Sequence, residues 1–242
     1  MRTLAALMIA CSIGAYASAQ DRATFSVGTA TASRGQKVTG TIEVPAASDA
    51  ALSISVAVVH GAKPGKVLAL VSGAHGTEYA SIIALERLIA LIDPAEVSGT
   101  VIIVPLVNVP SFENKIAHVN PVDGKSMNRF YPGKMDGTQT ERASFLITRQ
   151  VVEPSDHLID LHGGDIDESL RPYSYWTKTG TKSRTRSRAR WCLHLGLTTS
   201  STRPSGQRIP RLRVISKTLP PLAVSLRSQL KQGMQAPSKL KT

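Results

Sequence analysis

Residues 67–78 read VLALVSGAHGTE, and this stretch decides the fold. Its first five residues form a short, continuous apolar run, which is typical of a strand buried on both faces of a sheet. Apolar residues then recur at helical spacing over residues 79–91, and a second buried strand is predicted over residues 101–107. A strand, a loop, a helix and a further strand in this order indicate an α/β fold.

The loop after the first strand contains His75 and Glu78, and a third predicted strand, residues 158–161, is followed directly by His162. Two imidazoles and one carboxylate are the ligand set of a catalytic zinc site that keeps one position open for water. Ligands at the ends of different strands also favour an α/β enzyme, because active sites collect at the carboxyl edge of such sheets. We therefore predict one zinc ion here. The alternative is that both histidines are ordinary loop residues.

The segments around this unit complete the predicted organisation. Short alternating strands are predicted within residues 20–60, and a long irregular loop, of a kind that is usually functional, is predicted over residues 108–137. The predicted divisions are a signal peptide (1–19), an N-terminal β-rich segment (20–51), a catalytic domain (52–180) and a basic tail (181–242).

The signal peptide is predicted from three features of the first 19 residues. Arg2 supplies a positive charge, residues 4–10 are apolar, and residues 17–19, Ala-Ser-Ala, form a small-residue cleavage site. The predicted location of the mature protein is therefore outside the cytoplasm, either periplasmic or secreted. No apolar run reaches the length of a membrane span, so no transmembrane segment is expected.

The net charge of +12 is confined to the end of the chain. Residues 181–242 hold 14 of the 29 Lys and Arg residues and none of the 17 Asp and Glu residues. That leaves 15 basic against 17 acidic residues in residues 1–180. A charge so distributed does not indicate a nucleic-acid-binding domain, and no nucleic-acid partner is predicted.

The abrupt loss of acidic residues after Gly180 suggests a change of reading frame. If the codons are read one base earlier, residues 217–233 permit a Gly-Lys-Pro turn, a strand and a glutamate at the Lys231 position. The same shift permits Gly-Leu-Asp-His-Ile-Ile across residues 196–201. We therefore predict a frameshifted tail. The alternative is a genuine basic tail that binds nucleic acid or an anionic surface.

Four segments of the chain are specific in combination: residues 73–78 (GAHGTE), 120–125 (NPVDGK), 128–133 (NRFYPG) and 160–165 (DLHGGD). Through these segments the chain resembles the succinylglutamate desuccinylase/aspartoacylase family, which is related to the zinc carboxypeptidases. The resemblance implies a mixed β-sheet flanked by helices. It also implies that His75, Glu78 and His162 bind zinc and that Asn128 and Arg129 hold the carboxylate of a small-molecule substrate.

Two further carboxylates, Asp160 and Asp165, are predicted to orient the ligand histidines from behind. Asp165 is equally compatible with a purely structural role in the turn beside the glycines.

The chain departs from the family pattern at two places. Relatives carry an arginine shortly before the Asn-Pro segment, where this chain has Lys115 in the sequence NKIAH. Relatives also carry a C-terminal glutamate that acts as the general base. This chain has no acidic residue after Glu168, which is a weak candidate for that role. We therefore expect the fold to be truncated at its C-terminal end and the chain as written to be a poor catalyst.

The function predicted from these observations is zinc-dependent hydrolysis of an amide or ester bond in a small carboxylate-bearing substrate, similar to the deacylation of an N-acyl amino acid. One alternative is a metallocarboxypeptidase that acts on peptides. Another is an inactive remnant or a basic binding protein without catalysis.

Overall fold

The computed structural model describes residues 22–170, 173–177, 198–202 and 212–215. The strands in these ranges are β1 (Thr24–Val27), β2 (Ala30–Ser33), β3 (Gln36–Val44), β4 (Leu52–His60), β5 (Lys63–Ser72), β6 (Ser98–Val104), β7 (His157–His162), β8 (Tyr173–Thr177), β9 (Thr198–Thr202) and β10 (Leu212–Ile215). The α-helices are α1 (Tyr79–Leu91), α2 (Val109–Asn114) and α3 (Gln139–Ile147). Short 3₁₀ turns lie at Pro94–Glu96 and Met127–Arg129, and a π-helical turn, Thr148–Val152, follows α3. None of the described helices is long and apolar enough to cross a membrane.

Eight of these strands form one mixed sheet in the order β3-β4-β6-β5-β7-β10-β8-β9. The pairs β5–β6, β5–β7, β7–β10 and β8–β9 are parallel, whereas β3–β4, β4–β6 and β8–β10 are antiparallel. The predicted α/β class with a mixed sheet is therefore confirmed. Strands β9 and β10 come from the predicted tail, whose other residues, like residues 1–19, lie outside the described ranges.

Strand β5 lies near the middle of the sheet and is covered on both faces, as its continuous apolar run predicts. Because side chains alternate along a strand, Leu68 and Leu70 face one side and Ala69 faces the other. The two leucines belong to a buried cluster that includes Leu85 of α1. Ala69 belongs to a second cluster that includes Ile147 of α3. The sheet is thus sandwiched between helices, and its core supports the edge where the strands end.

Most predicted elements lie close to their observed positions, and the helix predicted over residues 79–91 is confirmed. The strand predicted over residues 101–107 ends three residues early, at Val104. Pro105 follows, and a proline has no N–H with which to continue the strand pairing. The predicted irregular segment also contains a helix, α2, which begins where the Asn108 side chain accepts a hydrogen bond from the Ser111 N–H.

A buried arginine ties the loop between β3 and β4 to α3. Arg142 is 1% exposed and its Nε donates to the carbonyl of Pro45 at 3.1 Å. One terminal nitrogen donates to the carbonyl of Gly137 at 2.6 Å, and the other forms an ion pair with Asp49. The same aspartate accepts from the Gln139 N–H at 2.8 Å, so one carboxylate holds both the arginine and the start of the helix.

The substitution Arg142→Met is expected to lower the free energy of unfolding by about 3–5 kcal/mol. It would leave the Asp49 carboxylate without its buried partner and two carbonyls without donors. Urea unfolding followed by circular dichroism would measure the loss.

Arg149→Met is the matched control, because Arg149 is exposed and pairs with Glu153 one helical turn away. An exposed pair of this kind contributes only about 0.3–0.5 kcal/mol. Equal losses in the two variants would show that Arg142 does not clamp the loop.

Candidate metal centre

The register of the sheet brings the two predicted ligand segments to the same edge. Parallel pairing of β5 with β7 places Val71 opposite Asp160. The loop that leaves β5 carries His75 and Glu78, and His162 is the last residue of β7. Ligands 84 or more residues apart in the sequence are therefore neighbours in space.

Two glycines shape the loop that carries His75. Gly73 has φ +68°, and a Cβ there would lie 2.7 Å from Leu106 Cδ1. At Gly76, a Cβ would lie 2.3 Å from the backbone nitrogen of Phe112 in α2. Only glycine fits the left-handed backbone at residue 73 and the close approach at residue 76.

The structure brings His75, Glu78 and His162 together as a compact buried group. One ligand atom from each lies within 4.8 Å of the others. The Glu78 carboxylate lies between the rings, with Oε1 2.8 Å from His75 Nδ1 and Oε2 2.8 Å from His162 Nδ1. The exposed fraction is 6% for Glu78 and 4% for His162.

The surroundings leave the Nδ1 atoms of both rings for a metal. The Nε2 atom of His162 lies 3.3 Å from Asp160 Oδ2, and that of His75 lies 3.4 Å from the Ser126 hydroxyl. In the metal-bound form, a partner at Nε2 would hold the ring proton there and leave the Nδ1 lone pair for the metal. Two imidazole nitrogens and one carboxylate oxygen fit the donor set that zinc prefers.

Without a metal, the three groups are held together by charge. Burial disfavours the ionised form of Glu78, but hydrogen bonds from His162 and His75 outweigh it and lower its pKa to about 2. Burial also disfavours the charged form of His162, but Asp160 and Glu78 raise its pKa to about 9. The metal-free site therefore keeps a proton on His162 at neutral pH, and a metal ion must displace it.

The predicted supporting carboxylates have different surroundings. Asp160 Oδ2 lies 3.3 Å from His162 Nε2. Asp165 instead accepts a hydrogen bond from the Thr77 hydroxyl and lies 3.1 Å from His118 Nδ1. It is therefore attached to the ligand loop through Thr77 and not to either ligand histidine.

The predicted substrate residues lie on the 3₁₀ turn beside His75. Asn128 is buried, and its Oδ1 accepts from the Ser126 hydroxyl at 3.0 Å. Since the same hydroxyl is close to His75 Nε2, Ser126 connects the asparagine to the ligand group. Arg129, the next residue, is exposed to solvent.

Both substitutes predicted from the sequence, Lys115 and Glu168, have exposed side chains. Lys115 is exposed and ends α2 in a left-handed conformation. Glu168 is exposed, and its carboxylate accepts from the backbone N–H of Asp165 at 3.2 Å, which closes a turn.

His118 is a residue whose position the sequence did not reveal, because it stands alone in the loop. Its ring meets the His75 ring edge-on, with centroids 5.7 Å apart. By contrast, His60 is buried far along β4, where its ring nitrogens bond Thr100 and the carbonyl of Arg22. The sequence signal that could have singled out His118 is its position shortly before the Asn-Pro segment.

The fold has a counterpart among metallo-carboxypeptidases. A solved metallo-carboxypeptidase from Burkholderia cenocepacia superposes with a TM-score of 0.56 over 80% of this chain and 63% of that one, at 14% identity. A solved aspartoacylase-family protein from Mesorhizobium loti superposes with a TM-score of 0.72 over 84% of this chain and 68% of that one, at 24% identity.

The family model of the succinylglutamate desuccinylase/aspartoacylase catalytic domain matches residues 64–216, and the chain belongs to this family. The match runs past residue 180, the predicted end of the catalytic domain. A curated relative, N-alpha-acetyl-L-2,4-diaminobutyric acid deacetylase of Halomonas elongata, is 35% identical over 139 residues. That alignment covers 56% of this chain, and the chain spans only 40% of the length of the relative.

Zinc affinity is expected to rise with pH up to about 9. The folded, metal-free protein holds a proton on His162 below that pH, and zinc must displace it. With one proton released, the affinity should rise about tenfold per pH unit. Calorimetric titrations with zinc, in buffers of different ionisation enthalpy, would count the protons.

Asp160→Asn removes the charge that contributes most to raising the His162 pKa, so this variant should release fewer protons between pH 7 and 9. Zinc binding that is independent of pH over this interval in the parent protein would contradict the protonation described.

Proposed function

We propose that this protein is a zinc-dependent hydrolase that cleaves an amide or ester bond in a small carboxylate-bearing substrate, as an N-acyl amino acid deacylase does. The observation that carries the proposal is the buried group of His75, Glu78 and His162 at the carboxyl edge of the sheet. Membership of the desuccinylase/aspartoacylase family supports it, and the named activity of the Halomonas elongata relative suggests an N-acyl amino acid.

His75, Glu78 and His162 would hold the metal through two nitrogens and one oxygen. Zinc, when bound, supplies a Lewis acid that polarises the acyl carbonyl and makes water a better nucleophile at neutral pH. Asp160 keeps the His162 ring in the orientation that ligation needs. The backbone N–H of Gly163 donates to Glu78 Oε2 at 3.1 Å, which fixes the carboxylate against rotation.

Asn128 and Arg129 would bind the substrate carboxylate beside this group. The Asn128 oxygen is occupied by the Ser126 hydroxyl, so its amide N–H groups are left to donate. Arg129 is exposed and presents a planar fork that can grip a carboxylate through two parallel hydrogen bonds. Asn128 adjoins the metal ligands through Ser126, and Arg129 follows it in the same turn, which would set the distance between the carboxylate and the acyl group.

The first test compares zinc content and hydrolysis in the parent protein and in His75→Ala. We expect about one zinc per chain and release of acetate from N-acetyl amino acids in the parent protein, with both lost in the variant. Metal analysis and an amine-release assay would measure them.

His157→Ala is the matched control, because His157 begins the same strand that ends in His162, about 16 Å away. It should keep both zinc and activity. Zinc content that is unchanged in both His75→Ala and His162→Ala would refute the metal site.

Arg129→Lys is expected to raise KM about ten- to hundred-fold while zinc stays bound. The physical reason is that an ammonium cannot reproduce the two parallel bonds, and a hydrogen bond to a charged group is worth about 1.5–3 kcal/mol. Steady-state kinetics with an N-acetyl amino acid would give the change.

The matched control is Arg149→Lys, at an exposed arginine in the π-helical turn after α3, which should leave KM unchanged. If Arg129→Lys behaves like this control, the substrate carboxylate is not bound at Arg129.

The second candidate function is a metallocarboxypeptidase, and the observation that favours it is the likeness of fold to the Burkholderia cenocepacia protein. The two candidate functions share metal-dependent hydrolysis of an amide bond and differ in the substrate that the pocket accepts. Relative kcat/KM on N-acetyl amino acids and on dipeptides separates them, and faster cleavage of dipeptides would select the carboxypeptidase.

A further inference from the structure

His118 stands beside the metal ligands in a conformation that an ordinary loop residue avoids. Its backbone has φ +62°, in the left-handed region where residues with a Cβ are strained. Its ring packs edge-on against His75, at an interplanar angle of 83°, while 58% of the side chain is exposed. The ring therefore touches the ligand group on one side and solvent on the other.

A buried carboxylate lies directly behind this ring. Asp165 is 4% exposed, and its Oδ1 accepts from the Thr77 hydroxyl and from the Ile166 N–H. Its Oδ2 is buried and has no hydrogen bond within the described ranges of the chain. The atom that approaches it is His118 Nδ1, at 3.1 Å, although the ring is not turned for a linear hydrogen bond.

An unsatisfied buried carboxylate oxygen is costly, and a donor at 3.1 Å is the group placed to satisfy it. Catalytic hydrogen bonds are often poorly aligned in a free enzyme and tighten when substrate binds. An imidazole that gives its Nδ1 proton to a carboxylate carries its lone pair on Nε2. The ring is then a proton acceptor whose orientation is fixed from behind.

We propose that His118 is the general base of the reaction and that Asp165 is its positioning residue. This inference rests on the proposed function. As the water oxygen bonds to the acyl carbon, one water proton moves to His118 Nε2. The bond between the acyl carbon and the amide nitrogen then breaks, and the same proton passes to the leaving nitrogen, so that an acid and an amine are released.

The Glu168 carboxylate supports the same loop. The Glu168 side chain accepts from the backbone N–H of Asp165 and so helps to hold the positioning residue. Thr77 lies between two ligands in the sequence and donates to Asp165, which ties the base to the metal loop. A single network therefore connects the ligands with His118.

The first arm of the test measures catalysis and its rescue. His118→Ala should lower kcat about 10²–10⁴-fold, with KM and zinc content close to those of the parent protein. Added imidazole should restore part of the lost rate, because the exposed position leaves room for a free ring. His157→Ala should retain the parent rate and gain nothing from imidazole.

The second arm needs neither metal nor activity. In metal-free protein labelled with ¹⁵N-histidine, at a pH where the ring is neutral, the His118 signals should show the proton on Nδ1. In Asp165→Asn that preference should weaken. A proton that resides mainly on Nε2 in the parent protein would overturn the assignment, because the lone pair would then face Asp165.

The outcomes separate the two proposals. If the zinc-loaded parent protein hydrolyses N-acetyl amino acids and His118→Ala does so equally fast, the base is wrong and the proposed function stands. If the parent protein binds no zinc and cleaves none of these substrates, the proposed function is wrong. Loss of activity without imidazole rescue, together with an Nε2 proton, would reduce His118 to a packing residue.

Discussion

The parallel pairing of β5 with β7 is the constraint on which the site depends. It places Val71 opposite Asp160, so the loop after one strand and the last residue of the other emerge side by side. A slip of one residue would turn every side chain of β7 to the opposite face. His162 would then leave Glu78, and the apolar residues of the strand would leave the core. The packing that fixes the fold therefore also fixes the geometry of the ligand group.

Glu78 is the centre of the charge balance at this edge. Its carboxylate faces both imidazoles at 2.8 Å and also accepts a backbone N–H, so three donors converge on one group. A carboxylate in this position keeps the site assembled before any metal arrives, because the rings are already turned inward. The proposed base lies just outside this group and is joined to it through Thr77 and Asp165.

Much of this arrangement could be predicted from local patterns. The continuous apolar run of β5 and the helical spacing of α1 indicated the central unit, and the position of His75 and His162 after apolar segments indicated ligands at one edge. These signals are local in sequence. The metal-ligand roles themselves, like the tail boundary and the signal peptide, stay predictions.

Contacts between distant residues left no comparable signal. Thr77 and Asp165 are 88 residues apart, and Arg142 and Asp49 are 93 apart. An isolated histidine such as His118 has no partner motif in the sequence. Its contacts with His75 and Asp165 arise only when separate loops come together in the folded chain. The end of β6 was predicted three residues too late, because the apolar run continues past the proline that ends the strand pairing at Val104.

The position of β10 bears on the order in which the protein can assemble at the ribosome. In the sheet it lies between β7 and β8, although it is synthesised after β8 and β9. Its residues emerge roughly fifty positions after β7, a delay of about 3–10 s at 5–20 residues per second. During that interval the edge of β7 next to His162 has unpaired backbone N–H and C=O groups, which can pair with strands of other chains. Slower translation of this region should therefore increase the demand for chaperones.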